Sequence, residues 1–366
     1  MSMEMTQKSG NNSQLVQAQT INYYGITEER ARQIIQEEAQ KILNYTQEAC
    51  ATANERINKL ENAFMQAALK YTDVFKAFSD PYFQLLLRDA STKATATERE
   101  EDYDLLSQLL ICHVKKGSER KNKAAIRHAI LIVDEIDNDA LCALTNAHAV
   151  ECIQPVTGNC REGLKVLDDL FSKLMYMNLP SGNQWLEHLE MLGAIKTLNF
   201  RPSQLLVQHY SGVLDGYVCV GIKKDSPQFE TAQVILSSCH PELKELLIEN
   251  ECLEGYVRLE LVNRKRIDDS TLNYLITKYK SASRFPTQED IKDAIKKVFA
   301  LYSDDSKLMG QARQNFEKIF DEYEHLSKLK KWSDAFPQSF SITPIGKVLA
   351  YTNAKRCDSN LPDLKL

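Results

Sequence analysis

Between Gly25 and Pro81 the chain contains neither glycine nor proline. Nothing in such a stretch stops a helix once it has begun. Thr27, followed by Glu28, Glu29 and Arg30, reads as an N-cap with acids in the first turn. Ser79-Asp80-Pro81 reads as the stop, because the residue before a proline is pushed away from helical geometry. Within these bounds apolar and small residues recur at alternating spacings of four and three. Ala39, Thr46, Ala53, Leu60, Ala67 and Val74 form one track. Leu43, Cys50, Ile57, Phe64, Tyr71 and Phe78 form the other. The pattern predicts a heptad helix over 27–80, about 80 Å long, with an a/d seam of small residues facing large ones. An apolar seam of that length has to be covered, either by other subunits or by another helix of the same chain.

Residues 1–26 differ from everything after them. They are rich in Asn and Gln, and 13–24 carries no charge and is β-prone. With period 2, Leu15, Ile21 and Tyr23 fall on one face. A single strand has no partner for its backbone groups, so copies from several subunits would have to supply them. The other reading is a polar tail. Seam and tip together predict a homo-oligomer assembled through residues 1–80. Its contact residues are expected to be Leu15, Ile21, Tyr23, Leu43, Ile57, Leu60, Phe64, Tyr71, Val74 and Phe78.

Glycine and proline number only 13 and 10 in 366 residues, and 43 % of the chain is hydrophobic. That composition predicts a mainly α fold with real cores. Residues 81–180 read as a helical domain, with a short helix over 82–90, a small-residue loop over 91–97 and a capping box over 97–100. Residues 181–270 read as a mixed α+β region. In it Leu214-Asp215-Gly216-Tyr217-Val218 resembles Leu253-Glu254-Gly255-Tyr256-Val257, which suggests two strands of one small sheet. Residues 271–366 read as helical, ending in a strand, Phe340-Ser341-Ile342, that feeds a helix with Thr343 as N-cap and Pro344 at its first position. The strand and capped helix resemble a terminal element of bacterial winged-helix-like domains.

Forty-five Lys and Arg against fifty Asp and Glu give a net charge of −5, which argues against a general polyanion binder. No apolar run reaches the length of a membrane span, the first residues lack a secretory core, and nine unpatterned cysteines suit reduced thiols, so a cytoplasmic protein is expected. The sequence carries no GxSxG, phosphate loop, HExxH or GxGxxG, so no catalytic residue, metal or cofactor is assigned. His148, Cys152 and Cys160 are the best soft-ligand set, but two or three donors without a second pair fit a packed helix face better. Asp134, Glu135, Asp137 and Asp139 read as a solvated helix end. One basic cluster, Lys115, Lys116, Arg120, Lys121, Lys123 and Arg127, has the charge density to neutralise phosphates, but without aromatic interleaving and at a net charge of −5 it reads first as solvated surface.

Three blocks resemble an uncharacterised bacterial family whose members sit among phage-defence and abortive-infection proteins. They are Ser9-Gly10-Asn11-Asn12-Ser13 with Gln17-Ala18, Ile21-Asn22 and Gly25-Ile26-Thr27; Glu98-Arg99 and Asp102-Tyr103-Asp104-Leu105-Leu106 with Arg120-Lys121 and Ala129 to Asp137; and Ile342-Thr343-Pro344 with Gly346. The resemblance implies a defence role and brings no catalytic signature with it. The expectation is therefore a non-enzymatic, homo-oligomeric interaction or sensor protein, partnered by itself and by a phage-derived or host protein. One alternative is a nucleic-acid-binding protein using loop 115–127 and the C-terminal element. Another is a hydrolase or nuclease whose active site shows no linear motif.

Overall fold

The computed structural model describes residues 28–71, 74–117, 119–198, 205–279, 286–336 and 339–362. The fold is mainly α, with fourteen α-helices and five short strands among the described residues. The chain divides into two compact units, Met1–Glu55 and Arg56–Leu366. No helix among the described residues is long and apolar enough to cross a membrane.

Helix α1 runs over Glu28–Ala68, 41 residues or about 60 Å. It stops eleven positions short of the expected Ser79 end. The chain turns at Leu69–Lys70, where Tyr71 N–H bonds the Ala68 carbonyl at 2.9 Å. A 3₁₀ helix over Val74–Ser79 then runs back onto the core. Aromatic packing accounts for the turn. In a straight helix Phe64 and Phe78 would sit about 21 Å apart. Turned, their rings meet at 6.0 Å, and both pack on Phe83, at 6.2 and 5.3 Å.

Asp80 caps α2 (Pro81–Ala96) by accepting from Tyr82 N–H at 3.0 Å. This helix continues through 91–96, where a loop was expected. Ala90 and Ala94 are fully buried, so the small side chains serve close helix packing. Ser91 and Thr92 return their hydroxyls to the Leu87 and Arg88 carbonyls, both at 2.9 Å. The expected capping box over 97–100 is absent as well. Thr97 ends α2 and donates to buried Asp102 at 2.5 Å. Arg99 precedes α3 (Glu100–Lys116) and clamps the Ile136 and Val133 carbonyls at 2.6 and 2.9 Å.

Helices α4 (Arg120–Leu131), α5 (Asn138–Cys152), α6 (Cys160–Leu174) and α7 (Gln184–Met191) follow, and then strand β1 (Ile195–Leu198). Helix α8 (Leu206–Val213) leads into the second sheet. There β2 (Ile222–Lys223), β3 (Leu247–Glu249) and β4 (Tyr256–Leu259) lie antiparallel in the order β2-β4-β3, with α9 (Pro227–Cys239) between β2 and β3. The two similar segments do not pair as strands: 214–218 forms turns, and Tyr256 and Val257 of the second segment lie in β4, whose neighbour is the later β2, Ile222 opposite Val257 and Lys223 opposite Tyr256. Gly216 and Gly221 mark close approaches of the chain between α8 and β2. A Cβ at either would lie 2.1 Å from a carbonyl oxygen, of Leu261 and Val257 respectively, so a larger residue at either position would force the backbone apart.

Helices α10 (Asp269–Tyr279), α11 (Gln288–Phe299), α12 (Ser306–Asp321) and α13 (Glu324–Asp334) precede β5 (Ser339–Ile342) and α14 (Pro344–Cys357). The expected strand-to-helix junction is built as read. Thr343 Oγ1 accepts from Gly346 N–H at 3.2 Å and donates to the Gly193 carbonyl at 2.7 Å. Strand β5 pairs antiparallel with β1, Ile342 opposite Ile195. Helix α14 is buried nearly all round. Val348, Leu349 and Ala350 join the core of α2–α5, and Ala354 joins the core of α6, α8, α12 and α13. A third core lies under the three-stranded sheet, with α9, α10 and α11.

Candidate functional site

The expected oligomer seam has two fates. Leu15, Ile21 and Tyr23 lie outside the described residues. Leu60, Phe64 and Val74 are buried, Phe64 to 4 % exposure, in the core formed with α2, α3 and α4. Ile57 and Tyr71 are half-buried, and Phe78 keeps 37 % exposure with its ring on Phe64 and Phe83. From Leu60 onward, then, the seam is covered by its own chain rather than by a partner subunit. Arg56 and Lys59 fasten this end of the helix, Arg56 to the Thr95 carbonyl and Lys59 to Glu100, both at 2.7 Å.

In the first unit Leu43 is 56 % exposed. Ile35, Ile42 and Tyr45 are more exposed still, at 68, 62 and 65 %. The heptad reading missed these three because it followed the track through Leu43. A straight helix has 3.6 residues per turn, so its apolar stripe drifts away from a 3.5-residue track. Ile35, Ile42 and Ala49, spaced by seven, carried the missing signal. Ile42, Tyr45, Thr46, Ala49, Cys50 and Ala53 share one shallow, mostly apolar face.

The basic cluster is partly engaged. Lys115 stands over the Tyr71 ring at 3.7 Å and Lys123 over the Tyr82 ring at 5.2 Å. Arg127 pairs with Asp89 at 2.9 Å. Arg120 and Lys121 are exposed, and the Lys116 side chain lies outside the described set. Of the acidic run, Asp134 and Glu135 take Lys93 at 2.8 and 3.2 Å.

His148 and Cys152 do meet, Nε2 to Sγ at 3.1 Å. Burial holds the imidazole down to about 4 and pushes the Cys152 thiol up to about 11, so both groups are neutral. Cys160 lies elsewhere, hydrogen-bonded to Cys252, a contact that raises the Cys160 thiol and lowers that of Cys252. Beside this pair the fully buried Arg258 donates to the Gly158 carbonyl at 2.8 Å and stands over the Tyr217 ring at 5.4 Å. Glu251, 3.6 Å from Arg258, accepts from Cys160 N–H at 2.6 Å and so pins the start of α6. Among the described residues no group of three or more His, Cys, Asp or Glu is placed to hold a metal.

A feature that the sequence did not disclose is a cleft of about 1070 Å³ between the 175–182 segment and α13. Asp168 on α6 positions α13 by accepting from the N–H groups of His325 and Leu326 at 2.7 and 3.0 Å, and it also takes His325 Nδ1 at 3.2 Å. Trp332 Nε1–H donates to the Pro180 carbonyl at 2.9 Å, which ties the two walls together. Its ring sits 5.6 Å from Trp185 and 4.6 Å, edge to face, from Phe336. Lys328 and Lys331 stand at the cleft with His325, and no Asp or Glu lines it. Lys328 pairs with Glu324 at 2.6 Å, whereas exposed Lys331 has no ion-pair partner among the described residues. The chemistry on offer is a cluster of aromatic rings, with Trp332 and Phe336 at 85° to each other, beside the exposed Lys331 ammonium.

No curated protein and no solved structure matches the chain. A protein-family model, described only as a "-like" family, matches residues 25–365. The chain therefore belongs to that family, and the match takes in the long helix, both sheets and the helix that closes the fold.

Proposed function

We propose that this is a non-enzymatic interaction or sensor protein that assembles with itself through the helix over residues 28–55. The observation that carries the reading is the exposed apolar face of α1, with Ile35, Ile42 and Tyr45 each more than half exposed. Large apolar side chains spaced along one helix face mark an interaction surface, and a helix meeting a copy of itself covers both faces with the same residues. The β-prone segment just before this helix supports the same reading, because a helical assembly would bring copies of it together. The defence setting rests on the resemblance of the three sequence blocks. The nucleic-acid reading draws less support, since Lys115, Lys123 and Arg127 already hold aromatic or acidic neighbours and α14 is buried.

The test is the solution mass of the full chain, of Ile42→Asp, and of a chain shortened by residues 1–26. The full chain should be a multimer. Ile42→Asp should fall to a smaller species with an unchanged far-ultraviolet spectrum, because a charge in an apolar interface is costly and the same charge on an exposed helix is not. A full chain that is monomeric at micromolar concentration, or an Ile42→Asp protein of unchanged mass, would refute the proposal.

A further inference from the structure

We infer that the cleft between the 175–182 segment and α13 is a binding site for a mononucleotide. The base would stack on the Trp332 ring, with the Phe336 ring edge-on beside it, and the phosphates would sit on Lys331 and Lys328. The inference goes beyond self-assembly and does not depend on it.

Three observations converge. The first is the apolar wall. Trp185, Trp332 and Phe336 lie within 4.6–5.6 Å of one another, centroid to centroid, and Phe340 extends the group at 5.8 Å from both Trp185 and Phe336. Trp332 and Phe336 are only half-buried, so part of each ring still faces the opening. Flat rings select flat partners, and a nucleobase stacks on such a surface whatever its identity. An acyl chain or an aliphatic peptide side chain would be better served by branched residues. The second is charge. Lys331 stands at the cleft, exposed and without an ion-pair partner among the described residues, next to Lys328, which Glu324 pairs; no carboxylate lines the opening itself, so an anion is favoured there over a cation. Lys328 and Lys331 are three residues apart on α13, one turn, with Trp332 next in sequence, so stack and cations are held on the same helix. The third is fixity. The Asp168 cap on α13 and the bond from Trp332 to the Pro180 carbonyl hold both walls before any ligand arrives, which lowers the ordering cost of binding. The volume of about 1070 Å³ accommodates a base, a sugar and phosphates together.

The chain supplies its own reporter. It has two tryptophans, Trp185 and Trp332, and both line this cleft. Tryptophan emission of the full-length protein is titrated with ATP, with adenosine, with inorganic phosphate and with a single-stranded oligonucleotide, and calorimetry is run alongside. ATP should change the emission saturably, with half-saturation at micromolar to sub-millimolar concentration. Adenosine and phosphate alone should each bind more weakly. Lys331→Gln, at an exposed position, should keep the melting temperature and weaken ATP about tenfold, as expected for the loss of one charge-assisted hydrogen bond. Trp332→Leu should abolish the calorimetric signal. No saturable response to ATP would overturn the inference. So would equal affinity in Lys331→Gln, or a response to the oligonucleotide without one to ATP. Because the solution mass is measured separately, failure here is distinct from failure of the self-assembly proposal.

Discussion

Phe64 and Phe78 occupy the same heptad track, yet the turn at Leu69–Lys70 gives them unequal shares of one core, and that inequality can be measured. Phe64 is 4 % exposed and touches both Phe78 and Phe83. Truncating a buried Phe to Ala removes its transfer free energy and leaves a cavity, at a cost of about 3–5 kcal/mol. Phe78 is 37 % exposed, so about two-thirds of its surface contributes, and solvent fills the gap that truncation leaves. Its loss should cost about 1–3 kcal/mol. For a unit of this size 1 kcal/mol moves the melting temperature by about 2 °C. Phe64→Ala should therefore melt about 6–10 °C lower than the parent, and Phe78→Ala about 2–6 °C lower, followed by circular dichroism at a protein concentration common to all three. A straight heptad helix extending to Ser79 would make the two positions equivalent. Equal shifts, a larger shift for Phe78→Ala, or no shift in either would refute the turned arrangement.

Three further outcomes are expected. Gly346→Ala should destabilise by about 3 kcal/mol or more, because its Cβ would lie 2.1 Å from the Ala194 carbonyl oxygen, whereas Gly212→Ala, with open space in α8, should stabilise by about 0.5–1 kcal/mol; chemical denaturation of both separates them. His148 has a folded pKa near 4, below its unfolded value of about 6.5, so the unfolded chain binds the extra proton between those values. Stability should be complete above about pH 6.5 and fall by about 3 kcal/mol as the pH drops to 4; His148→Leu should flatten that acid limb, and an unchanged slope would remove this histidine as its cause. Asp168→Ala strips two N–H caps from α13 and should cost about 1–2 kcal/mol, read by urea unfolding.

Periodicity and caps carried most of the helices, and local chemistry carried the Thr343-Pro344 junction down to the Gly346 bond. What stayed hidden depended on residues distant in sequence. Nothing near Leu69 announces a turn, because its cause is the meeting of Phe64, Phe78 and Phe83. The 91–96 stretch has loop-like composition, yet Ala90 and Ala94 are buried against helices whose approach favours small side chains. Strand β3 is three residues long and exists because β4 offers an edge to it. Of the expected contact residues, Leu43 is exposed and Leu60, Phe64 and Val74 are not, a distinction that one uniform repeat cannot encode. The cleft was invisible for the same reason. Its two walls are joined by a hydrogen bond between residues 152 positions apart, and neither wall bears a motif.

The lateness of α14 in the chain has a consequence for biosynthesis. Thr343 closes onto Gly193, 150 residues earlier, and the helix it starts contributes to two cores. At about 5–20 residues per second, a ribosome needs about 8–30 s to make that intervening length. Throughout that interval the nascent β1 lacks its β5 neighbour, and the apolar groove awaiting Val348, Leu349 and Ala350 stands open. A growing chain with an unpaired strand edge and an unfilled groove is a substrate for holdase chaperones. Folding of the 56–366 unit thus waits for the synthesis of β5 and α14.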